Sequence, residues 1–524
     1  MPAEDKSKPE SVCDNTELPS TDSSCVTGPP RTLGATLLRL GPGMIIAGSI
    51  VGSGELIATT KAGAEAGFCL LWLIIIGCVI KVSTQIELGR YTVTWGQTPL
   101  KALDGVPGPR LKVNWLLWYW VLVILLVISQ QGGILGGVGQ TLAIGRPLTS
   151  NGRQYNRLHD ELATAKVDLN VAVAQGADNA DTEQLQQRIA SLTTETAQLD
   201  EPRDAYLWAA ILAIVTSALL LVGRYGLIQF VATGFVIAFT IVTIVTLVML
   251  QTKPQWAVTG GEIAGGLSFR LPPAVEGSDK NPIGTALAAF GIIGVGAVEL
   301  IAYPYWCLEK GYAKFTGPRD GTDGWIKRAR GWMRVMHIDA WLSMVVYTFA
   351  TVAFYLLGAT VLGRMGLNPS GRHMIRTLAA MYVPVFGSWA DGVFLSGAFA
   401  VLYSTFFVAA AGCSRMVADA LGLFGLTDCS EQARLKWTRI VSAAWPLVAL
   451  LLYIGVRAPT KMVLASGIGQ AIMLPMLGGA ALYFRYCRSD QNLRPGRLWD
   501  AMLWISFAGF IVIGCWSLVS LFWR

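Results

Sequence analysis

Apolar residues run in long blocks separated by short charged segments. A helix needs about 20 consecutive apolar residues to cross the hydrocarbon core of a bilayer. Blocks of that kind fall at 36–66, 68–89, 114–143, 205–223, 226–250, 284–308, 338–362, 391–413, 439–456, 462–484 and 498–522, which predicts eleven spans. Two regions break the pattern. Residues 1–33 are polar and rich in Ser, Pro, Asp and Glu, which predicts a disordered tail; with no apolar run they do not form a signal peptide. Segment 146–204 is also polar and too long for a simple connector. Leu158, Leu162, Ala165, Leu169 and Ala172 recur at heptad spacing, as do Leu185, Ile189, Leu192, Thr196 and Leu199. That spacing predicts an antiparallel helical hairpin, either packed only on itself or serving as an arm for protein contact or oligomerisation.

Composition agrees with the pattern. The 524 residues are 53% hydrophobic and 14% charged, with mean hydropathy +0.49. A soluble domain carries about 25% charged residues, so the chain is expected to be an all-α polytopic membrane protein whose main partner is the lipid bilayer. The net charge of +7 belongs to loops facing anionic lipid and does not indicate nucleic-acid binding. Most Lys and Arg precede the first span or follow the second, sixth, eighth and tenth. The positive-inside rule then places the N-terminus in the cytoplasm and the C-terminus outside, in a cell membrane. The nine Cys are scattered, without a CxxC or a Cys/His cluster, so neither a disulfide framework nor a zinc site is expected.

The first and sixth spans do not read as continuous helices. The first holds Gly41-Pro42-Gly43, Gly48, Gly52 and Gly54 before Glu55; the sixth holds Gly291, Gly294 and Gly296 before Glu299, then Pro304. Residues 51–58, VGSGELIA, and 295–302, VGAVELIA, are identical at six of eight positions. Spans 1–5 and 6–10 would therefore be two repeats. Five spans is an odd number, so the second repeat must be inverted in the membrane. Inverted repeats with interrupted first helices are the physical signature of a secondary transporter, with its site at the midplane. The organisation expected is a tail at 1–33, a first repeat at 34–250 carrying the hairpin 146–204, a second repeat at 251–485 and an eleventh helix in 486–524.

Intramembrane acids mark ion or proton paths. Glu55 and Glu299 are expected to face one cavity and bind a cation, with carbonyls of Gly52 and Val298 helping. Oxygen ligation of that kind suits Mg²⁺, Ca²⁺ or Mn²⁺ better than soft metals. Tyr303, Tyr305 and Trp306 are candidate cavity walls. Ser404 and Thr405 are candidate Na⁺ ligands, or hydroxyls bonding back into their own helix. Lys61 and Lys81 lie within spans and are expected to pair with Glu65 and Glu87, or to snorkel.

At these residues the chain resembles the Nramp divalent-metal transporters. Gly41-Pro42-Gly43 through Gly52-Ser53-Gly54-Glu55 to Ala62-Gly63-Ala64 and Gly67-Phe68-x-Leu70-Leu71-Trp72 is similar to that family's first helix. Gly291-Ile292-Ile293-Gly294 is similar to the start of its sixth, and Pro254-x-Trp256 to the preceding loop. The resemblance implies the leucine-transporter fold of the amino acid–polyamine–organocation superfamily over roughly 34–490. It departs at the chemistry. The family's Asp-Pro-Gly-Asn stands here as Gly52-Ser53-Gly54-Glu55, and its Met-Pro-His as Val298-Glu299-Leu300. A second family His falls at Tyr305, and the acids of the third helix at Gln130 and Gly133.

The function expected is alternating-access transport of a divalent cation, hard ions such as Mg²⁺ or Mn²⁺ being favoured, by a protein with no cofactor beyond the transported cation and a coupling H⁺ or Na⁺. The alternatives are an Na⁺- or H⁺-coupled transporter of an organic amine or amino acid, and a non-transporting sensor or scaffold that presents the hairpin. No HExxH, Walker A or GxSxG motif points to an enzyme.

Overall fold

A computed structural model describes residues 26–174, 179–200, 202–222, 225–273 and 281–522. Among them nine helices are long and apolar enough to cross a membrane: Leu71–Trp95, Trp115–Gly145, Asp204–Val222, Pro282–Glu309, Asp323–Gly363, Ala390–Leu423, Glu431–Val456, Pro459–Arg488 and Arg497–Phe522. These are spans 2, 3, 4 and 6 to 11. Span 5 is the helix Tyr225–Leu250. Span 1 is divided into Pro42–Ile50, a π-helical turn Ser53–Thr59, and Thr60–Ala66. Span 7 starts well before the apolar block. Thr322 caps its N-terminus through a hydrogen bond from the Trp325 amide, and Trp325, Ala329 and Met333 bury against Leu493, extending the helix beyond the apolar block.

The packing obeys the two-repeat relation. Span 3 lies on span 10 as span 8 lies on span 5; span 3 on span 4 as span 8 on span 9; span 2 on span 6 as span 7 on span 1. Span 6 is buried over nearly its whole length, whereas spans 4, 9 and 11 leave Ile214, Leu451 and Ile505 more than 60% exposed toward lipid.

Both halves of span 1 are tied to neighbouring spans. Pro42 opens span 1, where a missing N–H costs nothing, and the Asp339 carboxylate of span 7 accepts from the Gly41 amide (3.0 Å) and the Gly43 amide (2.5 Å). In the second half of span 1, Lys61 pairs with Glu65 at 2.7 Å, as the spacing suggests, and Glu65 also accepts from Thr285 and Asn368.

The inserted segment forms helices Ser150–Ala174 and Asn179–Gln198, which pack on each other. On the second helix the heptad residues are the shielded ones: Leu192 is buried and Leu185, Ile189 and Thr196 half-buried, while nearly all the rest are exposed. The base of the hairpin is also tied to the bundle. Asn156 donates to the carbonyls of Ala143 and Ile144 at the end of span 3, and Arg376, in the loop between spans 7 and 8, donates to Asn156 and pairs with Asp160. Tyr155, His159 and His373 stack beside it, with the two imidazoles 5.1 Å apart.

Two sequence expectations change. Residues 1–25 of the tail lie outside the described residues, but 26–32 are held: the Thr27 amide donates to Phe315 O, and the Trp332 indole donates to Thr27 O. A buried indole N–H needs an acceptor, and this stretch supplies one. Cys429, after span 8, is disulfide-bonded although the Cys spacing gives no framework.

Candidate functional site

The two breaks meet near the middle of the bundle. In the first, the α-helix ends at Ile50, and Gly52 passes so close to span 8 that a Cβ there would overlap the Thr405 hydroxyl. The chain resumes as the π-turn, whose wider winding is supported by hydroxyls: Thr59 donates to Gly54 O and Thr60 to Glu55 O. In the second break, span 6 stops at Ile292, crosses Gly294 at φ +58, a left-handed conformation that favours glycine, and restarts as Ala297–Glu309.

Interruptions leave backbone groups without helical partners, and inside a bilayer something else must satisfy them. Three side chains do so at the second break. Glu55 accepts from the Gly294 amide at 3.4 Å. Gln470 of span 10 accepts from the Val298 amide at 3.3 Å, and its own amide group donates to Gln130 of span 3. Lys81 of span 2 donates to the carbonyls of Phe290 and Ile293. Lys81 is therefore not paired with Glu87, which binds Arg90 instead.

A cavity of about 20 Å³, close to the room one water needs, lies beside the breaks. Glu299, Val298 and Trp306 of span 6 line it together with Thr405 of span 8 and Gln130 and Gln131 of span 3. Ile50 and Gly54 close it from span 1, and Cys413 and Met416 from span 8. Among the described residues, three oxygens of lining residues have no hydrogen-bond partner: Glu299 Oε2, Gln131 Oε1 and Thr405 Oγ1. At one end, Arg415 pairs with Glu309 and lies 4.6 Å over the Trp306 ring.

The candidate residues thus divide. Glu299, Val298, Trp306 and Thr405 share the cavity. Glu55 is fully buried next to it but is not part of its lining; its Oε1 is engaged by Gly294 and by the Thr351 hydroxyl at 3.1 Å. Gly52 contributes close approach, since its carbonyl already accepts from the Leu56 amide. Ser404 donates to Val401 O and Gly48 O. Tyr303 and Tyr305 do not wall the cavity. Tyr303 donates to Asp339 at 3.2 Å and Tyr305 to Asp419 at 2.5 Å, because a buried phenol is drawn to the nearest strong acceptor. Sequence reasoning missed Gln131, Gln470 and the destination of Lys81. Two Gln in the middle of an apolar span were the available signal. Among the described residues no group of three or more His, Cys, Asp or Glu is placed to hold a metal; the residues that line the cavity offer one carboxylate, neutral oxygens and the sulfur-bearing side chains of Cys413 and Met416.

An all-helical bundle with two interrupted helices related by an inverted repeat, carrying a buried acid beside their junction, defines an integral membrane protein of the leucine-transporter fold. The family model described as natural resistance-associated macrophage protein-like matches residues 197–520, and the chain belongs to that family, Nramp. Among solved structures it is similar to a histidine-to-alanine mutant of the Eremococcus coleocola manganese transporter, at 16% identity and TM-score 0.59, over 94% of this chain and 88% of that one. A glutamate-to-alanine mutant of the same transporter gives 15% identity and TM-score 0.60 with the same coverage. MhsT in complex with L-phenylalanine gives 14% identity and TM-score 0.50, over 93% of this chain and 98% of that one. A search of curated protein sequences returned no match.

Proposed function

We propose that the protein is a secondary transporter that moves a divalent cation across the membrane by alternating access, and that it favours a hard cation such as Mg²⁺ or Mn²⁺. The observation that carries this reading is that Glu299, Gln131 and Thr405, each with a buried oxygen that has no hydrogen-bond partner among the described residues, line one cavity beside both helix breaks. Unpaired buried oxygens are costly, and a cation bound in the cavity would offer them a partner. Carboxylate, amide and hydroxyl oxygens suit hard ions, and an incomplete shell suits an ion that keeps part of its water. Family membership and the likeness to a manganese transporter support the same class. The cavity volume favours an ion over an organic amine or amino acid, which needs several times more room. Glu299 would bind the cation, Val298 and Trp306 would limit the space around it, and Glu55 would hold the breaks together.

The test is uptake by purified protein in liposomes, with Mg²⁺, Mn²⁺, Ca²⁺ and amino acids offered with and without pH and Na⁺ gradients. Saturable uptake of Mg²⁺ or Mn²⁺ that Glu299→Gln abolishes is expected. Uptake of amino acids alone would overturn the reading.

A further inference from the structure

Lys81 is fully buried in the interior of span 2. Its ammonium lies 2.7 Å from the carbonyl oxygen of Ile293, also donates to the carbonyl of Phe290, and sits 4.8 Å from the Phe290 ring centroid. Those carbonyls close the first half of span 6, Pro282–Ile292. The last carbonyls of a helix have no helical partner, and they carry the negative end of its dipole, about half an elementary charge. In discontinuous membrane helices such half-helix ends are where small cations are coordinated. The charged groups whose fields reach the ammonium are the Glu55 and Glu299 carboxylates, with the Cys78 thiol one turn earlier on its own helix.

An uncompensated ammonium inside the bilayer is expensive. Here two carbonyls, a helix dipole and an aromatic face meet it, the fields of two acids reach it, and the geometry is that of a small cation on a helix end. We propose that Lys81 is a tethered cation that takes the place of a free monovalent ion at the second break, so that this break is held closed without Na⁺. The consequence for coupling rests on the transporter reading; the replacement of an ion does not. Lys81 acts here through the backbone of span 6 and is a positioning residue.

The two parts separate experimentally. Wild type, Lys81→Ala and Lys81→Met are purified in nanodiscs, and Tm is measured in choline chloride, sodium chloride and methylammonium chloride at one ionic strength. Wild type should melt at one temperature in all three. Lys81→Ala should melt several degrees lower in choline and recover in methylammonium or sodium, because the vacated space admits a small cation. Lys81→Met should stay low in all three, because its stem fills that space. Lys81→Ala melting as wild type does in choline, or ignoring the cation supplied, would overturn the proposal. If Lys81→Ala cannot be isolated in choline, its yield on extraction in methylammonium becomes the readout, and an equal failure in both also overturns it. In liposomes, divalent-cation uptake by Lys81→Ala should depend on methylammonium or Na⁺, whereas wild-type uptake should not. Cation-dependent melting of Lys81→Ala together with no uptake by wild type would sink the transporter reading alone.

Discussion

Glu55, in the first helix break, accepts a hydrogen bond from the amide of Gly294, in the second, at 3.4 Å. One side chain of the first break thereby gives a partner to a backbone amide of the second. Glu299 has a different position, on the cavity wall with Oε2 unpaired. The two acids should therefore respond differently to substitution. Glu299→Gln should lower divalent-cation uptake by at least about tenfold, the equivalent of about 1.4 kcal/mol in transition-state free energy, with Tm unchanged. Glu55→Gln keeps an oxygen for Gly294 and Thr351 and should cost less than Glu55→Ala, which strands the buried Gly294 amide at about 1–3 kcal/mol, while the Thr351 hydroxyl retains the Tyr347 carbonyl. Uptake and melting of the three variants decide the matter; full uptake by Glu299→Gln would remove the cation-site reading.

Gly52 is set by contact with Thr405. Gly52→Ala places a methyl group on the Thr405 hydroxyl and should destabilise by about 1–3 kcal/mol, as overpacking does. Gly52→Ala combined with Thr405→Ala should recover much of that loss, a coupling that a double-mutant cycle measures. Thr405→Ala alone should weaken cation affinity while leaving Tm close to wild type.

Val298 lines the cavity on the same wall as Glu299. Val298→Met brings a thioether to it, which should raise the ratio of Mn²⁺ or Cd²⁺ uptake to Mg²⁺ uptake, since soft ligands favour softer ions. Cys413 and Met416 already place sulfur in the lining, so the same ratio in Cys413→Ser and Met416→Leu reports how far they contribute.

The hairpin dock should be sensitive to acid. Burial, with Arg376 and His373 nearby, pushes the His159 imidazole down to about 4 from its usual 6.5. The sign follows from proton binding: undocked His159 takes up a proton near pH 6.5, whereas docked His159 resists until about pH 4. The docked state is thus fully favoured above about pH 6.5 and loses stability as the pH falls from there toward 4. Asp160, Lys166 and Arg376 are the charged groups around it. Hydrogen-exchange protection factors across 155–160, which correct for the slower intrinsic exchange in acid, should fall between pH 7 and pH 5 in wild type and respond less in His159→Gln. An equal fall in both would assign the effect elsewhere.

The orientation inferred from Lys and Arg is tested by labelling. Cysteine placed at the exposed Ser191 in the hairpin should react with an impermeant thiol reagent from outside intact cells, and cysteine at the exposed Thr322 should not. The reverse pattern would invert the topology.

The fold was legible because apolar blocks and glycine clusters are backbone-level signals: the spans, the two breaks and the heptads of the hairpin all depend on residue spacing. The site was legible only in part. The octapeptides around Glu55 and Glu299 are nearly identical, yet the first winds as a π-turn and the second as an α-helix, so equal sequence positions do not give equal directions. The surroundings differ as well: the Thr405 hydroxyl lies against Gly52 in the first, and Gln470 accepts from the Val298 amide in the second. Tyr303 and Tyr305 were drawn to Asp339 and Asp419, acceptors remote in the sequence. Lys81 was unreadable for a stronger reason: its acceptors are carbonyls, which every residue has.

The second half of span 1 crosses the end of span 7 with backbone nearly touching backbone. A Cβ on Gly63 would strike the Tyr355 carbonyl, and one on Gly358 would strike the carbonyl of Thr60. Lys61 and Glu65 clamp the same segment to Asn368 and Thr285. In mechanical terms, Thr60–Ala66 and the end of span 7 are keyed together as one unit, and the helical hydrogen bonding that would couple this unit to Pro42–Ile50 along span 1 is interrupted at Val51 and Gly52.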